Sequence, residues 1–99
     1  MSKYKTLLLH ANDSVAVALS DIPSQSVVTV KSDGKDIEVT ILEPIRFGHK
    51  FAVKEIKQGE NIMKYGEIIG AAVVAIQQGE HVHVHNLEGK RGRGDKIAK

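Results

Sequence analysis

The chain has 99 residues, of which 41% are hydrophobic and 4% aromatic, with no tryptophan. That is one domain's worth of chain, with a small aliphatic core and no aromatic platform on which nucleic-acid bases would stack. A formal net charge of +2 is too weak to argue for nucleic acid, and the absence of cysteine excludes disulfide staples and thiolate metal sites.

The N-terminal stretch has no charged-then-apolar signal pattern, and the run Leu7-Leu8-Leu9 is too short to span a membrane. A soluble, cytoplasmic protein is expected. Asn12 and Asp13 mark a turn, with His10 close by in sequence. Residues 15–19 alternate Val and Ala and read as the first strand. Residues 26–31, rich in Val and Thr, form the next, and 37–42 follow the hairpin signal Asp33-Gly34. Two further apolar runs lie at 51–53 and 68–76. Gly70 reads as a bend or bulge in the second and argues, with its β-branched residues, against a helix there. Residues 81–86 read as the last strand. Residues 89–99 carry Lys90, Arg91, Arg93, Lys96 and Lys99 and read as a basic tail.

One word recurs along the chain. Ile45-Arg46-Phe47-Gly48-His49, Ile56-Lys57-Gln58-Gly59-Glu60 and Ile76-Gln77-Gln78-Gly79-Glu80 each place Gly three residues after Ile. Ile22-Pro23-Ser24-Gln25-Ser26 is a degenerate copy with Gln25 in the glycine's place. The physical reading is a tight turn with positive φ at its third position, feeding a strand. The irregular spacing of the copies excludes a solenoid. Many short strands with frequent turns give a mainly β fold.

The candidate chemistry is concentrated in His81-Val82-His83-Val84-His85-Asn86. In an extended strand the three histidines share one face and the valines anchor the other. The outer two then lie about 13–14 Å apart, too far for easy tridentate binding of one ion. Imidazole titrates near neutrality and ligates iron, manganese or zinc. His83 and His85, with His49, are candidate catalytic groups, and His81, His83 and His85 are candidate metal ligands. Lys50, Asn86, Arg91 and Arg93 are candidates for binding a carboxylate substrate, Lys50 as a point charge and the arginines through forked donors. Asn86 is equally suited to closing a turn, and the arginines to a solvated tail. Tyr65 is expected to bury its ring and satisfy its hydroxyl. Nothing resembles a phosphate loop, a Ser-His-Asp triad or a zinc-finger spacing.

Several of these words occur together and in order. They are Gly48-His49-Lys50-Phe51-Ala52, Gly59-Glu60, Lys64-Tyr65-Gly66-Glu67-Ile68-Ile69-Gly70 and Gly79-Glu80-His81-Val82-His83-Val84-His85-Asn86. His10-Ala11-Asn12-Asp13-Ser14-Val15-Ala16-Val17-Ala18-Leu19 precedes them, and Asn86-Leu87-Glu88-Gly89-Lys90-Arg91-Gly92-Arg93-Gly94-Asp95 follows. Over roughly residues 10–95 the chain resembles the SAF domain of the altronate and galactarate dehydratase family, which is similar to the small subunit of sulfolactate sulfo-lyase. It departs at Ser14, where the family often has Asn, and at Gln25, where a turn Gly is usual.

The resemblance implies a small SAF-type β-clip over residues 1–88, with 89–99 as its exit. It also implies a larger catalytic chain as partner, fused or separate, and a small carboxylate substrate. The reaction would be elimination of water, or of sulfite, from a sugar acid or related 2-hydroxy acid. A divalent metal, iron or manganese, would be held mainly by the larger chain. This chain is then expected to be a free-standing small subunit, inactive alone and with exposed strand edges open to self-association. Two rival readings are a non-catalytic β-clip that binds a carbohydrate or partner, and a metal-storing or metal-sensing domain. No nucleic acid or membrane is expected as partner.

Overall fold

The computed structural model describes residues 4–8, 10, 12–32, 35–83 and 85–89. These form nine strands and no helix: β1 (Thr6–Leu7), β2 (Val15–Ala18), β3 (Val27–Ser32), β4 (Lys35–Thr40), β5 (Lys50–Ala52), β6 (Asn61–Lys64), β7 (Glu67–Ala72), β8 (His81–Val82) and β9 (Leu87–Gly89). They pair antiparallel in three small sheets, ordered β1-β2-β5-β8, β3-β4 and β6-β7-β9. The fold is mainly β, as the frequent turns and β-branched runs require. No helix among the described residues is long and apolar enough to cross a membrane.

The central sheet is buried on both faces. Side chains alternate across a strand, and β2 and β5 divide their residues between two cores. Ala16, Ala18, Phe51 and Val53 pack with Ile22, Val28, Val30, Val39, Ile41 and Ile45. Val15 and Ala52 pack with Ile56, Ile62, Ala72, Ile76 and Val82. This explains the unbroken Val-Ala-Val-Ala of β2, since a strand covered on both sides has no position for a polar residue. The small residues there let the two cores approach. Each fully buried Ile, Val or Phe contributes about 1.5–3 kcal/mol.

The recurring word builds four copies of one turn. Gln25, Gly48, Gly59 and Gly79 all have positive φ, at 72, 85, 84 and 90°. In each copy the N–H of the next residue donates to the carbonyl three residues back: Ser26 to Pro23, His49 to Arg46, Glu60 to Lys57 and Glu80 to Gln77. Gln25 thus takes the glycine's conformation, which a few residue types outside glycine tolerate.

The copies are coupled in pairs. Ile22 and Ile45 exchange backbone hydrogen bonds, and so do Ile56 and Ile76. The first turn docks on Ile41 through Gln25 N–H and Ser26 C=O, and the second docks on Ala18 through Gly48 N–H and His49 C=O. The third docks in the same way on Ala72, and the fourth on Ala52. Each docking residue stands four positions before a turn isoleucine, so every turn holds the strand end that leads into its partner.

Several elements differ from the sequence expectation. Three further strands form, β1, β6 and β9, because pairing with β2 and β7 recruits residues that carry no alternation of their own. The run at 68–76 divides into β7 and the exposed Val73 and Val74, which lead into the fourth turn. In the β6–β7 ladder Ile62 faces Gly70 while Met63 faces Ile68, so Ile69 is the extra residue of a bulge beside Gly70. Gly70 is required by β9: a Cβ there would run into the Glu88 carbonyl. The turn expected at Asp33-Gly34 lies outside the described residues, though the register ends at Ser32↔Lys35 on either side of it. Gly89 closes β9, and residues 90–99, most of the expected basic tail, lie outside the described residues.

Candidate functional site

The four turns are one structure built from different residues, so a side chain present in one copy and foreign to the others is not there for the turn. The position after the positive-φ residue is Ser26, His49, Glu60 or Glu80. Glu60 Oε1 accepts from Lys57 N–H at 2.8 Å, and Glu80 Oε1 from Gln77 N–H at 2.9 Å, so each glutamate closes its own turn. The second turn closes otherwise. Asp21 Oδ1 accepts from Phe47 N–H at 2.8 Å, and the ring of His49 is released to face β8.

On β8, His81 lies directly opposite Phe51, two residues past His49. Opposed residues of an antiparallel pair share a face, as do residues two apart along a strand. His49 and His81 therefore meet above the first core. His49 Nδ1 and His81 Nε2 are 3.0 Å apart, with one ring donating and the other accepting. Glu43 adds to this end of the site: its Oε2 accepts from His81 N–H at 3.1 Å.

The chain after Val82 does not continue as the expected strand. Asn86 folds it back: Asn86 Oδ1 accepts from His83 N–H at 2.9 Å, and Asn86 Nδ2 donates to the His81 carbonyl at 2.8 Å. The N–H groups of Asn86 and Leu87 both donate to the His83 carbonyl. Asn86 is 1% exposed and holds the turn, and both polar atoms of its side chain are taken up by the backbone of His83 and His81. Val84, expected as a core anchor, lies outside the described residues.

The turn replaces a linear array of histidines with a cluster. Ring centroids are 5.2 Å apart for His49 and His81, 5.4 Å for His49 and His83, 5.7 Å for His81 and His83, and 5.5 Å for His81 and His85. The separation of about 13–14 Å expected for His81 and His85 in an extended strand is thus corrected. The rings lie stacked or tilted against one another instead of pointing nitrogens at one centre. Among the described residues no group of three or more His, Cys, Asp or Glu is arranged to hold a metal ion. The set His81, His83 and His85 does not fit a metal in this arrangement.

Packing of this kind disfavours the charged form of the most enclosed ring, His81. Burial, first, and the nearby His49, His85 and His83 pull His81 below its ordinary 6.5, against a smaller opposing pull from Glu43. His83 and His85 stand exposed at the outer edge of the cluster. Below 6.5 the unfolded chain takes up its proton at this position before the folded chain does. Stability is therefore full above that value and falls as the pH drops toward the lower folded one. Urea midpoints measured at about pH 7.5 and 5.5 are expected to fall less in His81→Gln than in the parent. An equal fall in both would remove His81 as the source.

The remaining candidates separate from the cluster. Strand alternation puts Lys50 on the sheet face opposite His49 and Phe51. Asp13, 3% exposed, clamps backbone: its oxygens accept from Tyr65 N–H at 2.9 Å, Gly66 N–H at 2.8 Å and His10 N–H at 3.2 Å. Tyr65 is not buried as expected. It sits at positive φ in the β6–β7 turn, 39% exposed, with Lys64 Nζ 5.0 Å from its ring centroid. Ser14 is buried, and its Oγ accepts from Met63 N–H at 3.1 Å. Arg91 and Arg93 lie outside the described residues. Glu43 was missed, and so was the pairing of His49 with His81. The signal for His49 lay in the repeat, where it falls inside the second copy; Glu43 stands two residues before that copy.

A small all-β domain, clasped by four turns and presenting imidazoles at one end, is the class that fold and site define. The sequence profile described as the altronate/galactarate dehydratase SAF domain matches residues 4–90, and the chain belongs to that family. It is 44% identical over 78 residues to an altronate dehydratase of Escherichia coli (strain K12), covering 79% of this chain and 15% of that protein. It is 34% identical over 84 residues to the (2R)-sulfolactate sulfo-lyase subunit alpha of Chromohalobacter salexigens, covering 82% of this chain and 89% of that subunit. A galactarate dehydratase (L-threo-forming) of Escherichia coli (strain K12) is 35% identical over 74 residues. The chain thus spans a small fraction of the dehydratases it matches and nearly all of the sulfo-lyase subunit. Its relatives are lyases and dehydratases.

Proposed function

We propose that this chain is the small component of a lyase that works with a larger catalytic chain. The reaction is elimination of water, or of sulfite, from a sugar acid or related 2-hydroxy acid. The observation that carries this reading is the release of His49 from turn-closing duty into a cluster with His81, His83 and His85. Elimination beside a carboxylate needs a group that removes a carbon-bound proton and a group that assists the leaving hydroxyl or sulfite. The cluster, with His83 and His85 exposed, offers imidazole nitrogens at the surface where a larger chain would dock. Near coverage of the sulfo-lyase alpha subunit supports a separate chain, and the small share of the dehydratases supports a need for the rest. A divalent metal, in this reading, is the larger chain's to hold.

The test is reconstitution. The chain is co-purified with the larger dehydratase-type chain from its own source and assayed on 2-hydroxy acids. His83→Gln and His85→Gln are expected to lower turnover by about a hundredfold, the low end for loss of a general acid or base, while leaving the urea midpoint and the co-purification intact. Unchanged turnover in both variants would favour a non-catalytic binding module. One observation leans that way: a hollow of about 550 Å³ lies away from the histidines, lined by Tyr4, Lys5, Thr6, Leu19, Thr29, Lys31 and Asp36.

A further inference from the structure

The position before the positive-φ residue holds Ser24, Phe47, Gln58 and Gln78 in the four turns. Phe47 is the apolar member of that set. Two of its counterparts bind the scaffold: Ser24 Oγ donates to the Leu42 carbonyl at 3.2 Å, and Gln78 Nε2 donates to the Val53 carbonyl at 2.9 Å. A phenyl ring has nothing to donate, and Phe47 is 66% exposed, more than any other large apolar residue described. The turn does not need it, since three polar residues occupy the same place in sister turns.

A lone apolar residue at a surface is ordinary. What marks this one is the way its backbone is held. Phe47 N–H donates to Asp21 Oδ1 at 2.8 Å, and the exchange of hydrogen bonds between Ile22 and Ile45 keeps Asp21 beside it. Gly48 N–H donates to the Ala18 carbonyl at 2.8 Å, and the His49 carbonyl accepts from Ala18 N–H at 2.8 Å. No atom lies within 4 Å of the place a Cβ on Gly48 would take, so the lip of the turn stands clear. A fixed backbone beneath an exposed ring lowers the ordering cost of inserting that ring into a pocket.

The same turn carries the first imidazole of the cluster. Two residues on from Phe47, His49 Nδ1 lies 3.0 Å from His81 Nε2. The relatives indicate what covers such a turn. The matched region is 15% of an altronate dehydratase, where a much longer stretch of chain accompanies it, and 89% of a sulfo-lyase subunit whose name, alpha, implies another subunit.

We propose that Phe47 is the anchor on which the larger chain docks, its ring entering an apolar pocket of that chain and setting it over the histidine cluster. Buried aromatic anchors at the centre of an interface carry a large share of binding energy, and this one lies beside the groups the partner has to reach. The interface rests on the lyase reading only for the existence of the larger chain, and binding is measured without turnover.

The experiment titrates the purified larger chain with the full-length small chain by calorimetry. Phe47→Gln installs the residue of the third and fourth turns, so its urea midpoint is expected to match the parent's. Its binding is expected to weaken by at least about thirtyfold, the threshold for a hot-spot side chain. Phe47→Leu, which keeps an apolar group, is expected to retain most of the affinity. Ile68→Thr, a control at another exposed apolar residue in a different sheet, is expected to bind as the parent does. Turnover by Phe47→Gln is expected to recover when the larger chain is raised well above the weakened Kd, because the ring binds and does no chemistry. Equal binding by Phe47→Gln and the parent, or an equal loss in Ile68→Thr, would overturn the anchor and leave the lyase reading intact. A dimer of the isolated small chain that Phe47→Gln abolishes, with binding to the larger chain unchanged, would assign the ring to a second copy and overturn the proposal. A parent complex that binds through Phe47 yet turns over no 2-hydroxy acid would sink the lyase reading and leave the anchor standing. A parent chain that binds no larger chain would remove both.

Discussion

Asp13→Ala is expected to cost about 4 kcal/mol of folding stability, a large share of what a domain this size has. The carboxylate accepts three backbone N–H groups that no other group of the described residues takes up, from His10, Tyr65 and Gly66. Two of them belong to the β6–β7 turn, where Tyr65 and Gly66 both have positive φ, at 56 and 79°. Holding Tyr65 in that region is unfavourable for a residue with a Cβ, and the hydrogen bonds to Asp13 offset the strain. Each charge-assisted bond contributes about 1.5–3 kcal/mol, and its loss leaves donors unsatisfied beside a buried site. Asp13→Asn keeps one accepting oxygen and turns the other into a donor facing an N–H, so about half the loss is expected. Urea unfolding measures both. The amide resonances of Tyr65 and Gly66 should move in each variant, and an Asp13→Ala protein within about 1 kcal/mol of the parent would show that the turn holds without its clamp.

Gly79→Ala should be comparably damaging, while Gly48→Ala should not, although the two glycines occupy the same place in sister turns. Both have positive φ, at 90 and 85°, so both substitutions incur the left-handed penalty of about 1–2 kcal/mol. The difference is what a Cβ would meet. At Gly48 nothing lies within 4 Å. At Gly79 the new carbon would run into the carbonyl oxygen of Thr40, part of the strand end on which the first turn docks. Backbone cannot swing aside as a side-chain tip can, and forced overpacking adds about 1–3 kcal/mol. Gly79→Ala is therefore expected to lose about 4 kcal/mol and Gly48→Ala no more than about 2 kcal/mol. Equal midpoints in urea for the two variants would mean that the Thr40 contact relaxes freely.

Much of the fold was legible because its signals are local. Alternation and β-branched content marked β2, β3, β4 and β5, and the repeated Ile-x-x-Gly word marked the turns, including the copy that carries Gln25. The strands that stayed hidden, β1, β6 and β9, are short and owe their conformation to a neighbour's hydrogen bonds, which no window of sequence contains. The histidines were legible as a concentration of chemistry but not as an arrangement. Alternating His and Val reads as a strand, yet Asn86 satisfies backbone groups on both sides of a turn and bends the segment over itself. That single amide turns three spaced rings into neighbours and admits a fourth, His49, from a different part of the chain. Lys50 failed to join them for the opposite reason: it obeys the alternation that the segment after Val82 abandons.

The four turns have a meaning for how such a domain acquires chemistry. Each is a pedestal secured by backbone bonds and one left-handed residue, so the side chain at its lip is not committed to holding it up. One pedestal carries His49 and the other three carry Ser26, Glu60 and Glu80. Exchanging either glutamate forfeits one hydrogen bond, on the order of 1 kcal/mol. The scaffold thus holds three further positions of the geometry it already uses, two of them filled by glutamates that a new reactive group would displace at the cost of their one hydrogen bond.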